Sequence, residues 1–483
     1  MSIYLPNVTF TDQDDIVPPS GVEEISTSGT VNTLAGDDIL NGGNNIIIDP
    51  LTGDSLTSSY SFSNFDGTLN TNSGNDLITG LYNRISLSHF YPRSAITNSG
   101  YFDWYGDYTI HSAAINMGEG NDTITGIFND VNDPSVGNGI YNEMASIDMS
   151  DGNDIITGIG SNYGIFNDYG IILDTGNGDD IITARGGFTG IDSRAGTTIN
   201  TGGGNDILTA TGDHAWGILL RSSAIDTGDG NDIINGTGGQ YGLVLGIDYF
   251  SNVRSRVNTG EGDDMITGTG NQYGIINDYI DTGNGDDTII GTGSEYGISN
   301  YYTDTGNGDD IITGTGNQHA IANSNTLETG EGNDIITSIG IIYNEGIINT
   351  GNGNDFIIAE GAGTGYGIYN NGGAINTGNG NDSIIANEGF DSAENSSGAW
   401  FLGDGEDYIK GFGSGDFYGG NGNDTLELTP GTYTVGIWGE EGESPIFTKG
   451  NQLMITSEFE QLIAGGTTYD FSSLTAGQII VIP

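Results

Sequence analysis
Apolar and polar residues alternate at period two along most of this chain, in short runs bounded by glycine or asparagine. That pattern predicts short strands, because alternate side chains of an extended backbone face opposite sides. Between the runs lies a loop of the form Gly-[Asn/Asp/Glu]-Asp, extended to Gly-x-Gly-[Asn/Asp/Glu]-Asp in all copies but those where Leu34, Asn72 and Ser150 stand in place of the leading Gly. Its Asp recurs at fifteen positions: 38, 76, 122, 154, 180, 206, 232, 264, 287, 310, 334, 355, 382, 407 and 424. The Gly two residues before the Asp is present every time, and the residue two after it is always aliphatic. From Asp180 to Asp382 this column reads Ile182, Leu208, Ile234, Ile266, Ile289, Ile312, Ile336, Ile357 and Ile384.

Other columns keep the same period, which is usually 23 to 26 residues. An aromatic slot nine residues after the Asp holds Tyr163, Tyr241, Tyr273, Tyr296, His319 and Tyr343, with Trp216 and Tyr366 filling it after small insertions. Asn167, Asn277, Asn300, Asn323 and Asn370 share a further register, predicting amides bonded to one another along the stack. A Thr precedes the loop in nine successive copies, Thr175 to Thr377. Three strands per turn, each turn returning to one loop, predict an all-β right-handed parallel β-helix with three walls. Helical segments are excluded by the density of Gly, Asn, Thr and β-branched residues. Each coil would rise about 4.8 Å and rely on its neighbours for stability.

Composition sharpens the picture. Nine basic residues face 65 acidic ones, for a net charge of −56. That field excludes nucleic acid as a partner and opposes compaction unless cations neutralise it. Aligned acids on glycine-rich loops offer oxygen to a hard cation. There is no cysteine, so disulfides and thiolate sites are excluded. Residues 1–30 lack a basic start followed by an apolar run, and no membrane span is apparent. The expectation is export by a route that does not read the N-terminus.

The segment Thr282-Gly-Asn-Gly-Asp-Asp-Thr-Ile-Ile290 resembles the calcium-binding nonapeptide G-G-x-G-x-D-x-U-x of the repeats-in-toxin (RTX) family. The resemblance implies that loop carbonyls and the Asp carboxylate of neighbouring coils bind calcium outside the cell. Carried over, the ligands are Asp122, Asp154, Asp180, Asp206, Asp232, Asp264, Asp287, Asp310, Asp334, Asp355, Asp382, Asp407 and Asp424. Family β-rolls place two nonapeptides in each turn, whereas this chain has one per longer turn, so calcium is expected along one edge only. The copies at Asp38 and Asp76 lack the leading Gly and stand outside the ligand set. Residues 400–483 resemble the C-terminal region of cyanobacterial calcium-binding proteins exported by type I machinery, which implies an uncleaved C-terminal signal; a solenoid cap fits the same residues.

The expected organisation is 1–50 as N-terminal cap and first coil, 51–117 as coils with long aromatic-rich insertions, 118–399 as the regular β-helix, and 400–483 as last coils and cap. The insertion aromatics are Phe90, Tyr91, Tyr101, Phe102, Trp104, Tyr105 and Tyr108, with His89 and His111 beside them. The leading functional expectation is a secreted, non-catalytic calcium-binding solenoid serving as matrix, surface layer, filament or adhesion material. Its partners would be calcium and either copies of itself stacked head to tail or cell-surface polysaccharide. A polysaccharide lyase or epimerase is the alternative, with Asp192, Arg194 and Arg221 as the best candidate set. Ice or carbohydrate binding comes third, because the Thr column beside the loop should face inward.

Overall fold
A computed structural model of the protein describes residues 3–18, 25–43, 47–48, 55–56, 60–84, 94–99, 101–102, 110–130, 137–170, 172–246, 253–363, 365–392, 398–439 and 444–483. Among these residues the regular elements are strands, apart from single 3-10 turns at Leu5–Asn7 and Phe471–Ser473. The chain is a parallel β-helix. One coil comprises the strands Ile155–Gly160, Tyr163–Asp168 and Ile172–Asp174. Each pairs in parallel with its counterpart one coil later, Ile156 opposite Ile182, Ile165 opposite Ile191 and Leu173 opposite Ile199. The apolar columns therefore stack on themselves, and Ile156, Ile165, Ile182, Ile191 and Ile199 are wholly buried. This thin, continuous core is the product of repetition, since no single coil could enclose it.

The chain forms two compact units, Met1–Glu261 with Thr267–Gly270, and Gly262–Ile266 with Asn271–Pro483. The first opens with Ile3–Tyr4 laid parallel on Ile25–Asn32, followed by Ile16–Val17 on Ile39–Gly43. Of its predicted insertions, the residues His89, Phe90, Tyr91, Trp104, Tyr105 and Tyr108 lie outside the described residues. Tyr101–Phe102 and Ile110–His111 pair antiparallel, and their side chains also lie outside what is described.

The second unit ends in a β cap. Gln461–Ala464 continues the parallel ladder on Thr425–Leu428. Gly431–Trp438 then pairs antiparallel with both Ser444–Lys449 and Ile479–Ile482. Tyr433, Phe447, Met454 and Leu462 are buried in this cap.

The predicted columns hold, with one shift. Tyr163, Thr189, Trp216 and Tyr241 share a register in the first unit, as do Tyr273, Tyr296 and His319 in the second. Tyr343 departs from it, pairing with Ala322 and Tyr369. Asp334 and Asp355 are only 21 residues apart, so the ninth residue after Asp334 falls further along the second strand. Tyr369, not Tyr366, therefore continues the column after Tyr343, at 5.5 Å between stacked rings. His319 serves as a ring, stacked 4.6 Å from Tyr343 and edge-on to Tyr296.

Candidate functional site
The repeated loop is built by two glycines that no other residue replaces without strain. In Thr305-Gly-Asn-Gly-Asp-Asp310, Gly306 and Gly308 have φ of +81° and +145°. A Cβ on them would lie 1.5 Å from the Gly283 carbonyl oxygen and 1.9 Å from that of Gly285, in the coil before. Positive φ and close backbone approach both demand glycine. The same geometry aims the glycine carbonyls along the axis, onto the next loop.

The repeat Asp turns inward at this corner. All thirteen expected ligands, from Asp122 to Asp424, are at most 2% exposed. In each unit they form a ladder in which one coil's Asp amide donates to Oδ1 of the next coil's Asp. Asp154 N reaches Asp180 at 2.7 Å and Asp180 N reaches Asp206 at 2.8 Å. In the second unit Asp287 N reaches Asp310 and Asp310 N reaches Asp334, both at 2.8 Å. Asp38 and Asp76, set apart by their missing leading Gly, join on equal terms, since Asp38 N donates to Asp76 and Asp76 N to Asp122, each at 2.7 Å.

The residue before each Asp builds a second ladder, exposed and opposite in sense. Asp179 Oδ1 accepts from the Asn205 amide one coil later at 2.9 Å, and Asp309 Oδ1 from Asn333 at 2.7 Å. Successive loops are thus stitched by two side chains of opposite polarity. Sequence reasoning missed this role, although the restriction of that position to Asn, Asp or Glu was its signal. It also missed both ends of the buried ladder: Asp15, whose amide donates to Asp38 at 2.8 Å, and Glu460, whose carboxylate accepts from Asp424 at 2.8 Å. Asp15 followed by Ile16 and Val17 repeats the loop's exit pattern, whereas nothing in the sequence marks Glu460.

The second carboxylate oxygen is what gives the corner its chemistry. Thr305 and Thr329 donate to Oδ2 of Asp310 and Asp334 at 2.5 and 2.6 Å. At Asp122, Asp154, Asp407 and Asp424, where Met117, Met149, Leu402 and Gly419 stand in place of that Thr, Oδ2 is buried without a hydrogen-bond partner. At Asp76, Asp180, Asp206, Asp287, Asp355 and Asp382 a Thr hydroxyl five residues before still favours the charged acid. Burial pushes these acids up from the usual value near 3.8: Asp122, Asp180, Asp287 and Asp382 to about 7, Asp154 and Asp310 to about 8. Neighbouring Asp residues along the column add to the shift. A column of half-bonded buried carboxylates is costly when charged and calls for a proton or a cation. Among the described residues no three acidic or imidazole side chains converge on one point. A cation at this corner would be held by one carboxylate oxygen and backbone carbonyls of adjacent loops, an all-oxygen set that suits a hard divalent ion.

Asp192, Arg194 and Arg221 do come together. Arg194 grips Asp192 through Nε at 2.8 Å and a terminal nitrogen at 2.5 Å, and Arg221 reaches the same carboxylate at 2.8 Å. Arg194 also lies 4.9 Å over the Phe166 ring. Asp192 is 1% exposed, so the pair of guanidiniums neutralises a buried acid.

A scan against protein-family models finds no match, and a search of curated proteins finds none either. Among the described residues no helix is long and apolar enough to cross a membrane.

Proposed function
We propose that this chain is a secreted, non-catalytic calcium-binding β-solenoid that serves as extracellular structural material, a matrix, surface layer, filament or adhesion element. The observation that carries the reading is the column of buried Asp carboxylates at the loop corner, whose Oδ2 has no partner at Asp122, Asp154, Asp407 and Asp424. The proposed ligands are the Asp residues of the thirteen later loops, and Asp38 and Asp76 share their hydrogen-bond geometry. Where calcium is scarce, buried carboxylates oppose the fold and keep the chain in a form suited to export. Where calcium is plentiful, ions between loops offset that penalty, so binding is coupled to folding. The resemblance of the loops to RTX repeats and of residues 400–483 to type I export regions supports the same location.

The test is a calcium titration of the full chain followed by far-ultraviolet circular dichroism. A cooperative rise of β signal that chelator reverses is expected. A spectrum that stays flat and folded across the titration rejects calcium-coupled folding.

The convergence of Asp192, Arg194 and Arg221 keeps a polysaccharide lyase or epimerase as the second reading. Both guanidiniums already serve Asp192, which supports a structural role for the cluster. Loss of measurable uronic-acid polymer cleavage on Arg221→Ala would favour the enzyme.

A further inference from the structure
The strand that leaves each loop has an outer face as regular as its inner one. In the first unit its outward positions stack in three ranks: Ile155, Ile181, Ile207, Ile233; Thr157, Thr183, Thr209, Asn235; and Ile159, Arg185, Thr211, Thr237. The strands Leu77–Arg84 and Thr123–Asp130 extend the same ladder in register. The four isoleucines of the first rank are 38 to 39% exposed. From Leu77 to Thr237 these outward ranks hold no acidic residue, in a chain with 65 of them. Their single charge, Arg185, stands in the outermost rank, 3.3 Å from Asp213.

From this we infer that the outer face of the loop-following strands in the first unit is a self-association surface, on which a second copy of this chain packs face to face. Charge selects the occupant. Two copies of a −56 chain repel each other wherever acid meets acid, and the three ranks hold no acid on either copy, Asp213 standing at their margin in an ion pair with Arg185. Shape agrees, because parallel rows of β-branched side chains at strand spacing present matching ridges and grooves to an identical face. The area suffices: six strands and three outward ranks span about 29 by 17 Å, roughly 500 Å² per copy and 1,000 Å² per pair, the lower bound for a specific interface. Interlocked isoleucines would form a dry row on the loop side, and the threonine hydroxyls of the middle rank a hydrogen-bonded row beside it.

This inference deepens the structural-material reading and rests on that part of it, not on calcium. Its test is sedimentation equilibrium of the full chain at saturating calcium. Wild type is expected at twice the chain mass or more, and the pair Ile181→Glu with Ile207→Glu at single-chain mass with an unchanged circular dichroism spectrum. Thr209→Lys, which adds charge without removing an apolar contact, is expected to weaken association at least tenfold. Ile172→Glu, at a 51% exposed position on another wall, is expected to leave the mass unchanged. A single-chain mass for wild type overturns the proposal, whether or not the face then binds insoluble polysaccharide or ice. So does a mass unaffected by either the double substitution or Thr209→Lys. A chain that folds with calcium yet stays single sinks the pairing alone, and a paired chain indifferent to calcium sinks only the metal reading.

Discussion

Asp154→Asn separates a metal corner from a purely hydrogen-bonded one, because the two roles of this residue respond in opposite directions. Asp154 is wholly buried, and its Oδ1 accepts from the Asp122 amide at 2.7 Å. Its Oδ2 has no partner, and the residue five before it is Met149, which offers no hydroxyl. Burial raises the carboxyl from 3.8 to about 8. At about 1.4 kcal/mol per unit, the wild-type side chain costs the metal-free fold about 5 kcal/mol near pH 7.5. Asn keeps the Oδ1 acceptor and removes the charge, but buries an amide group that recovers only part of its hydrogen bonds, a loss of about 1–3 kcal/mol. The net expectation in chelator is a gain of roughly 2–4 kcal/mol. In calcium the sign reverses, because losing the ions of both adjoining loop gaps, about 2.7 kcal/mol each at a hundredfold excess over the dissociation constant, outweighs that gain. The assay is urea denaturation followed by circular dichroism, in chelator and in millimolar calcium, with calcium binding by calorimetry on the same samples. A variant with unchanged calcium stoichiometry, or one destabilised equally in both buffers, refutes the reasoning.

Other consequences follow from the same geometry. In chelator, acidification should stabilise the fold: the folded-state pKa values lie above the unfolded value near 3.8, at about 6 for Asp76 to about 8 for Asp154 and Asp310. That contribution is fully present below pH 4 and is lost as pH rises through 6 to 8; circular dichroism against pH should show it without calcium and a flatter profile with calcium. Asn323→Ala should cost about 2–4 kcal/mol in urea denaturation, because Asn323 bonds Asn344 and the Ile347 carbonyl and accepts from Asn300, each at 2.8 Å. Gly308→Ala should cost on the order of 3 kcal/mol or more, read as a raised calcium midpoint or loss of β signal.

Much of the fold was legible because a solenoid repeats its contacts at the period of its sequence. The inward column of Ile182, Leu208 and Ile234 and the buried Asn300–Asn323 amide ladder stand out as recurring letters in the chain alone. What stayed hidden depends on how coils are placed on one another. That Asp180 turns inward and accepts the Asp154 amide is a contact 26 residues long, set by the axial shift between loops. Tyr343 misled for a local reason, since a 21-residue coil moves the ninth position without altering the spelling around it. The outer ranks of Ile and Thr were in plain view, but a search for a core reads only the inward half of each strand.

The central claim is that divalent cations occupy the buried Asp corner. It is tested most directly by an anomalous difference map from crystals of the full chain grown in calcium. The account predicts peaks between successive loops, each beside an Asp Oδ2 and glycine carbonyls, with the Oδ1-to-amide bonds kept. A folded solenoid whose loop gaps hold no peaks at saturating calcium contradicts it.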